Sequence, residues 1–402
     1  MSTPSPTTRP PAEGTWPTDA AEVYLDYAAT APLDPAAARA VQVGQRLVGN
    51  PSSRHEAGRI AASALSQARQ SISSLFGCSP DEVVLTSGGS EANTMALWGT
   101  FAARGFRGHL VTTSIEHPAI LENACALKDL GVAVTLVDPS RTGHVEAADI
   151  ARAVRPDTVL VSVMHANNET GAIQPMQDIA ALTSSANIAL HVDAVHTAGK
   201  LDLTPLDATM ISVSAHKFGG PRGMGALAVR EGHRLQSVVR GGPQERRMRA
   251  GTENVAGAMG MAAAVDVCRG RISPRYRIAM SDRRKRLLAG LADVGGVHLN
   301  TVEPVLAETV SIRFDGIRSD TLADALDMQG IHVSTGSACH AGEDSVSHVL
   351  TAMGLTAQQA QSTVRFSLGP DVSDGDVERV VAVTTQAVER LRRVAGATGA
   401  GR

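Results

Sequence analysis

The sequence has few aromatic residues and no excess of charge of either sign. Only 3% of its 402 residues are aromatic, and the formal net charge is −3. Proteins that bind nucleic acids usually carry a basic surface, and those that bind single strands also stack bases on aromatic side chains. The composition therefore argues against direct nucleic-acid binding as the main activity.

The chain also has no uninterrupted apolar run of the roughly 20 residues that a membrane-spanning helix needs. Its first residues are rich in proline, serine and threonine, and they lack the basic start and apolar stretch of a secretory signal. We therefore expect no membrane association, a disordered tail at 1–21 and a second tail at 395–402.

Cysteine is scarce and unpatterned. The four cysteines are Cys78, Cys125, Cys268 and Cys339, with no CxxC pair among them. This spacing argues against a metal site and against a disulfide framework. A reducing, cytoplasmic location is the expectation.

Short apolar segments alternate with helical patterns through the middle of the chain. Helices are predicted near 60–76, 91–104 and 118–130, and strands at 82–86, 109–113, 132–137, 159–164, 188–192, 210–213 and 225–229. Strands that alternate with helices predict an α/β fold with a mostly parallel sheet covered on both faces. Ligands bind such sheets beyond the carboxyl ends of the strands, so functional residues should follow each strand.

The chain is too long for one ordinary core, and its pattern changes near residue 270. Beyond that point a charged helix (281–291) precedes strands at 309–314, 331–334 and 363–368 and helices at 320–328 and 374–393. We predict an N-terminal segment at 22–34 that packs on the smaller domain, a large domain at 35–270, and a smaller α+β domain at 271–394.

Lys217 follows a β-branched strand and precedes a glycine-rich turn, in Ser212-Val-Ser-Ala-His-Lys-Phe-Gly-Gly-Pro-Arg-Gly223. Partial desolvation at the end of a buried strand lowers the pKa of an amine and makes it a nucleophile able to form a Schiff base. Most lysines are exposed, however, so Lys217 alone does not decide the function.

Polar residues follow other strands as well, and each has a plain structural alternative. Asp193 suits a counter-charge to a pyridine nitrogen, or a carboxylate satisfied by backbone N–H groups. His117 suits a ring-stacking proton shuttle, or a helix cap before a proline. The Asn-Asn pair of the 165–171 loop, which includes Asn168, suits the phenolic oxygen of a cofactor or a carboxylate, or a turn. The turn at 86–94 suits an anion site, or a plain helix capped by Ser90.

Taken together, these segments resemble the cysteine desulfurase branch of the fold-type I pyridoxal-phosphate enzymes. The similarity covers about residues 23–392, and its most specific motifs are NNETG, HVDAVHTAGK (191–200), SAHK (214–217), GGPQERRMRAGTEN (241–254), STGSACHAG (334–342) and VRFSLG (364–369). The resemblance implies a mostly parallel seven-stranded sheet in the large domain, pyridoxal 5'-phosphate as cofactor, no metal, and a homodimer.

The resemblance also implies roles for residues at the cofactor. Lys217 would hold the cofactor as a Schiff base and Asp193 would pair with its pyridine nitrogen. His117 would stack on the ring and take part in proton transfer. The phosphate would be held by Gly89, Ser90, Ser214 and His216, together with Thr252 of the neighbouring subunit.

Three further residues would bind and process the substrate. Asn168 and Arg365 would hold the carboxylate of the substrate, and Cys339 would be the nucleophile that accepts its sulfur. Cys339 lies among loop-forming residues, eight positions before Ser347. That length fits the long-loop desulfurases, which hand sulfur to partner proteins. The other three cysteines lie in or beside helical patterns, which is typical of buried, apolar cysteine.

Two positions depart from the family pattern. His196 stands where the family usually has a glutamine near the phenolic oxygen of the cofactor, and a neutral imidazole can donate one hydrogen bond there. Ser90 replaces a threonine and keeps the hydroxyl group.

The sequence predicts an enzyme that converts L-cysteine to L-alanine and passes sulfur from Cys339 to an acceptor protein. A selenocysteine lyase or an aminotransferase on the same scaffold, and a non-catalytic scaffold protein, are the alternatives. The destination of the sulfur stays open among iron–sulfur assembly, tRNA thiolation, DNA phosphorothioation and biosynthesis.

Overall fold

A computed structural model describes residues 22–335 and 346–399. The predicted tail at 1–21 and the predicted loop around Cys339 lie outside these ranges.

The strands of the described chain follow the predicted order, and those predicted between 82 and 229 agree with the structure to within one residue at each end. In chain order the strands are β1 (Val23–Tyr24), β2 (Val83–Thr86), β3 (His109–Thr113), β4 (Ala133–Val137), β5 (Thr158–Met164), β6 (Ala189–Asp193), β7 (Met210–Ser214), β8 (Gly225–Val229), β9 (Val297–Leu299), β10 (Thr309–Phe314), β11 (Ile331–His332), β12 (Ser334–Thr335) and β13 (Thr363–Ser367).

Helices separate most of these strands. They are α1 (Pro35–Gly44), α2 (Glu56–Phe76), α3 (Gly89–Ala102), α4 (Pro118–Asp129), α5 (Ala147–Ala153), α6 (Met176–Ser185), α7 (Val255–Arg271), α8 (Pro274–Ala292), α9 (Ser319–Asp327), α10 (His348–Ala352), α11 (Ala357–Ala360) and α12 (Asp374–Gly399). The last helix was predicted to end near residue 393 with a tail from 395. It continues to Gly399, since no proline interrupts it and alanine favours the helix.

The central sheet has the strand order β2-β8-β7-β6-β5-β3-β4. Its neighbours pair in parallel, except that β8 runs antiparallel to β2 and β7. Strands β2, β3, β7 and β8 are buried along their whole length, because helices cover both faces of the sheet. The predicted α/β fold with a mostly parallel seven-stranded sheet is confirmed.

A second, antiparallel sheet has the order β12-β13-β10-β9. Helices α8 and α12 pack together beside it, and their apolar faces share a core with Phe314 and Phe366. Val23 and Leu25 belong to the same core, since β1 pairs in parallel with β11. The central sheet has apolar cores of its own, and the proposed boundary at residue 270 stays a prediction.

The single strand predicted at 331–334 is wrong in one respect. The segment forms two short strands in different sheets, because β11 pairs with β1 whereas β12 pairs with β13. The change of partner occurs at Val333, which belongs to neither strand. The pairing with β1 involves residues more than 300 positions apart, so no local pattern signals it.

None of the helices in the described ranges is long and apolar enough to cross a bilayer.

Candidate active site

The carboxyl ends of the parallel strands open into a cavity of about 270 Å³. The cavity also receives groups from the segment after β1 and from β13. Its walls include many of the residues singled out from the sequence, namely Gly89, Ser90, His117, Asn168, Asp193, His196, Ser214, His216, Lys217 and Arg365. The structure brings these side chains together, and their individual roles stay predictions.

Lys217 lies in a short turn that follows β7. The turn is closed by a hydrogen bond from the N–H of Gly220 to the carbonyl of Ala215. The Lys217 Nζ donates to the carbonyls of Ala28 (2.6 Å) and Ala29 (2.9 Å), both on the segment after β1. Two fixed acceptors therefore orient the amine at the wall of the cavity.

Asp193 is the last residue of β6 and is only 6% exposed. One carboxylate oxygen accepts from the N–H of Val195 at 2.9 Å, and the other accepts from Asn93 Nδ2 at 2.7 Å. The backbone bond fits the plain structural interpretation, yet the side chain also lines the cavity. A carboxylate fixed in this way can face a cation without rotating.

Asn93 was missed by the sequence reasoning. It lies on α3 and is 1% exposed, surrounded by apolar residues of the helix. The signal that could have found it is a polar residue three and four positions before the apolar Ala96 and Leu97, on the same face of the helix, since a buried amide needs a partner.

The start of α3 provides an anion site. The helix begins at Gly89 with Gly88 as its N-cap, so the prediction that Ser90 caps the helix is wrong. Ser90 is the second residue of the helix and is exposed at the cavity wall. The first N–H groups of a helix have no partner within the helix, so they are available to a phosphate. A Cβ at Gly89 would lie 2.6 Å from Val195 Cγ2, so the close approach requires glycine.

Two further polar residues face the same region from β7 and the turn after it. Ser214 is 3% exposed, and His216 is half-buried with its Nδ1 3.1 Å from Thr30 Oγ1. Burial, together with the nearby charges of Lys217 and Arg222, lowers the pKa of His216 to about 4. His216 is therefore a neutral hydrogen-bonding group at physiological pH.

His117 is both the cap of α4 and part of the cavity wall. Its Nδ1 accepts from the N–H of Ala119 at 3.0 Å, which fixes the ring. A ring whose Nδ1 is an acceptor carries its proton on Nε2 when neutral. The capping and cofactor interpretations are therefore compatible.

The two asparagines of the NNETG loop have different tasks. Asn167 is fully buried, and its Oδ1 accepts from the N–H groups of Glu169 and Thr170, both at 2.9 Å. Asn168 lines the cavity instead. Turn-building therefore explains Asn167, and Asn168 is available to a ligand.

Arg365 reaches the cavity from β13 and is 4% exposed. Its Nη1 donates to the carbonyl of Asn168 at 2.9 Å, and its Nη2 donates to Asp26 at 2.7 Å. Its Nε has no partner among the described residues. A buried guanidinium with an unused N–H fits a carboxylate ligand. Asp26 was not singled out from the sequence.

His196 lines the cavity and is 4% exposed. Its Nε2 is 3.2 Å from Thr309 Oγ1, and its Nδ1 is 3.5 Å from Lys200 Nζ. Burial lowers the pKa of His196 well below its usual value, and the charges of Lys200, Lys217 and Arg365 lower it further.

Two buried carboxyl groups near the site were also missed. Glu116 is fully buried and accepts from Thr113 Oγ1 (2.7 Å) and from the N–H of Met164 (2.9 Å), and burial raises its pKa to about 8. Burial raises the pKa of Glu169 to about 7, and its carboxyl accepts from Ser347 Oγ. The sequence offers no signal that separates these two residues from the ligand candidates, because all of them occupy the same kind of position just after a strand.

One predicted residue, Thr252, does not line this cavity, and another lies outside the described residues. Thr252 is exposed, on the loop between β8 and α7. Cys339 lies outside the described residues. The interpretation of the other cysteines as buried is wrong for Cys125, which α4 leaves exposed, whereas Cys268 is buried and Cys78 is half-buried.

The lining fits pyridoxal phosphate, the cofactor that the sequence resemblance implies. Lys217 would offer an amine to its aldehyde, Asp193 would offer a fixed carboxylate to its pyridine nitrogen, and the start of α3 would offer N–H donors to its phosphate. A Cβ at Gly89 would collide with Val195 Cγ2, so glycine is what lets the start of α3 lie this close to the turn after β6 at the cavity wall. The donor set therefore matches each end of the cofactor.

Comparisons with known proteins agree with this chemistry. A model of the family described as aminotransferase class-V matches residues 23–380. The chain is 40% identical to a cysteine desulfurase of Bradyrhizobium diazoefficiens, over 94% of this chain and 97% of that protein. It is 37% identical to the cysteine desulfurase IscS of Dictyoglomus turgidum, over 93% and 96%.

A solved structure shows the same fold. A NifS-like protein superposes with a TM-score of 0.85 at 33% identity, over 92% of this chain and 99% of that chain. The chain therefore belongs to the class-V aminotransferase family of pyridoxal-phosphate enzymes, in the branch that contains the cysteine desulfurases.

Proposed function

We propose that this enzyme removes the sulfur of L-cysteine at the described cavity, releases L-alanine and collects the sulfur on Cys339. One observation supports this proposal above the others. A lysine, a fixed carboxylate and an arginine with an unused N–H, namely Lys217, Asp193 and Arg365, come from three different strands to one cavity. An amino acid has the groups that such a set recognises.

Bound pyridoxal phosphate supplies an electron sink for the pair that leaves the Cα–H bond of the substrate. Asp193, held by Asn93 and the N–H of Val195, keeps a proton on the pyridine nitrogen. Lys217 takes the proton from Cα, and Arg365 binds the substrate carboxylate through its planar fork of donors. His117, fixed by the N–H of Ala119 at the cavity wall, would lie against the ring of the bound cofactor and carry a proton.

The sulfur step balances without an external oxidant or reductant. The Cys339 thiolate forms an S–S bond with the substrate sulfur, and the C–S bond of the substrate breaks. The electron pair of that bond stays with carbon, which takes up a proton, so the carbon skeleton leaves as alanine. The outer sulfur of the Cys339 persulfide is then passed to an acceptor thiolate on a partner protein, and the Cys339 thiolate is released as the S–S bond breaks.

Exchange of Cys339 tests the acceptor role. Cys339→Ser should retain the absorbance of the bound cofactor and lose sulfide release from L-cysteine. Cys125→Ser is the matched control, because Cys125 is an exposed cysteine on α4 and should be dispensable. Wild-type sulfide release by Cys339→Ser would place the nucleophile elsewhere.

Exchange of Lys217 tests the cofactor site separately. Lys217→Ala should lose both the absorbance of the covalently bound cofactor and turnover. A Lys217→Ala enzyme that stays yellow with full turnover would refute the assignment of the lysine.

We also propose a homodimer in which Thr252 completes the phosphate site of the neighbouring subunit. The exposed position of Thr252, away from its own cavity, supports this arrangement. Mixing inactive Lys217→Ala subunits with Thr252→Ala subunits should then restore one complete site in each mixed dimer, with Lys217 from one subunit and Thr252 from the other. If Thr252 served its own subunit, mixing would restore nothing.

The reducing cytoplasm is the setting that we propose for this chemistry. Among the described residues, Cys78, Cys125 and Cys268 are all free thiols, which supports it.

A further inference from the structure

The turn after β6 holds a second lysine beneath the cavity. We propose that Lys200 and Thr309 lock His196 as a neutral Nε2–H donor toward the cofactor, so that it does the work of the glutamine usual at this position. The proposal rests on the proposed function, since it concerns the phenolic oxygen of bound pyridoxal phosphate. Lys200 and Thr309 are positioning residues, because they act through His196.

The backbone places Lys200 directly under the imidazole. The preceding Gly199 has φ 75°, and a Cβ there would lie 2.7 Å from Cys268 Sγ and 2.7 Å from Phe218 Cβ. The turn is therefore tight and is packed against the chain that follows Lys217. Lys200 Nζ donates to the carbonyl of His196 at 2.8 Å and lies 3.5 Å from its Nδ1.

The lysine fixes the tautomer of the histidine. An ammonium group has only hydrogens to offer and no acceptor. The His196 Nδ1 that faces Lys200 must therefore carry its lone pair rather than a proton. A neutral imidazole has one N–H, so the hydrogen of His196 lies on Nε2.

The surroundings also keep His196 uncharged. The imidazole is buried, and the cations Lys200, Lys217 and Arg365 all oppose a positive charge on it. Lys200 in turn is faced by Glu308, which favours its charged form. Burial nevertheless lowers the pKa of Lys200 to about 8. An uncharged amine has a lone pair and can also accept from an Nδ1–H, so the lock on the tautomer of His196 holds below about pH 8, where Lys200 is charged.

Thr309 sets the direction of the donor. It is fully buried at the start of β10, and its Oγ1 lies 3.2 Å from His196 Nε2. This distance is at the long end of the range for N–H···O bonds, so the hydrogen can be shared with a second acceptor in the cavity. A glutamine amide is neutral and has its N–H donors on one atom at every physiological pH. An imidazole can be charged, and its proton can lie on either nitrogen, so it replaces the amide only when its surroundings fix both its charge and its tautomer.

A double-mutant cycle in the cofactor-loaded enzyme tests the lock. The readout is the pH midpoint of the absorbance change of the bound cofactor. A donor at the phenolic oxygen withdraws electron density and lowers this midpoint. Lys200→Met should therefore raise the midpoint by about one pH unit, the scale of one hydrogen bond. In a His196→Gln background the same substitution should cause a much smaller rise, because an amide needs no tautomer lock. The exposed Lys285→Met is the control and should cause none.

Equal rises in the two backgrounds would mean that Lys200 acts through its charge alone, and they would overturn the proposal. Nitrogen-15 NMR of His196 in the wild-type enzyme gives a second test that needs no variant. We expect an unprotonated Nδ1 and a protonated Nε2, and a protonated Nδ1 would overturn the lock. A purified protein without bound cofactor would instead refute the proposed function, and the NMR spectrum would still decide the tautomer.

Discussion

Single residues of this site serve the fold and the chemistry at once. His117 caps α4 with one ring nitrogen while its ring lines the cavity. Asp193 satisfies the N–H of Val195 and still presents its carboxylate to the cavity. For these two residues the structural interpretation and the functional interpretation are both compatible with the geometry. A hydrogen bond to the backbone fixes the side chain, and a binding site needs side chains in fixed positions.

Arg365 carries a prediction at this scale. Arg365→Lys keeps the charge but loses the planar fork that reaches Asp26, the Asn168 carbonyl and, through Nε, a carboxylate. We expect the KM for L-cysteine to rise about 10- to 100-fold, the size of one or two charged hydrogen bonds. Steady-state kinetics measures this change.

Arg313→Lys is the control for Arg365→Lys. Arg313 lies on the neighbouring strand β10 and pairs with the half-exposed Asp315 at the surface, where ion pairs contribute little. The KM of the Arg313→Lys enzyme for L-cysteine should match that of the wild type. An unchanged KM in Arg365→Lys would remove Arg365 from the substrate site.

At the scale of elements, the site depends on where helices and strands begin and end. Helix α3 begins just after the carboxyl end of β2, and Gly89 and Ser90 of its first turn line the cavity. This start is possible because Gly88 and Gly89 let the backbone pass close to Val195 and Ser214.

A Cβ at the start of α3 should weaken cofactor binding. Gly89→Ala would place a carbon 2.6 Å from Val195 Cγ2, so the helix start or the turn after β6 must move. We expect the Kd for pyridoxal phosphate to rise about tenfold or more, since the phosphate donors shift with the helix. Titration of the cofactor-free enzyme by absorbance measures the Kd.

Gly270→Ala gives a matched control for Gly89→Ala. Gly270 also lies in a helix, but a Cβ there meets nothing within 4 Å. Its Kd should stay at the wild-type value and its stability should rise slightly, because alanine favours a helix over glycine. A Gly89→Ala enzyme with wild-type affinity would mean that the phosphate lies elsewhere.

At the scale of the whole molecule, the site is assembled from both sheets. Arg365 of β13 contacts the loop after β5, and Thr309 of β10 contacts the turn after β6. Buried titratable groups accumulate where these layers meet. The stability of the folded protein should therefore depend on pH in a way that the composition does not indicate.

Whether the stability rises or falls with pH follows from the direction of each pKa shift. Glu116 and Glu169 have raised pKa values of about 8 and about 7, so the folded chain holds their protons more tightly than the unfolded chain does. They stabilise the fold below about pH 4.5, and this contribution is lost as pH rises through 7 and 8. Buried histidines such as His165 and His191 have pKa values lowered to about 4 and about 3, so they favour the unfolded state only below about pH 6.5.

Between pH 6.5 and 8 the carboxyl groups therefore dominate, and the free energy of unfolding should fall by on the order of 2 kcal/mol. Denaturant unfolding at the two pH values measures the fall. Glu116→Gln keeps the shape of the side chain without an ionisable group, so it should remove most of the fall. A fall of the same size in Glu116→Gln would assign the pH dependence to other groups.

The sequence by itself determined the central strands, the turn at Lys217 and most of the residues that line the cavity. These features are local, because the pattern of an apolar strand followed by a polar residue and a glycine predicts the structure of that one segment. Because parallel strands end at one edge of a sheet, the prediction of a mostly parallel sheet was enough to expect their last residues near one another.

Only the tertiary structure decided how those residues are held. The bonds between Asn93 and Asp193, His196 and Thr309, and Arg365 and Asp26 join residues 100, 113 and 339 positions apart. Periodicity within an element carries no information about a partner on another element. The same holds for Glu116 and Glu169, whose raised pKa values arise from burial by the layers that close over them.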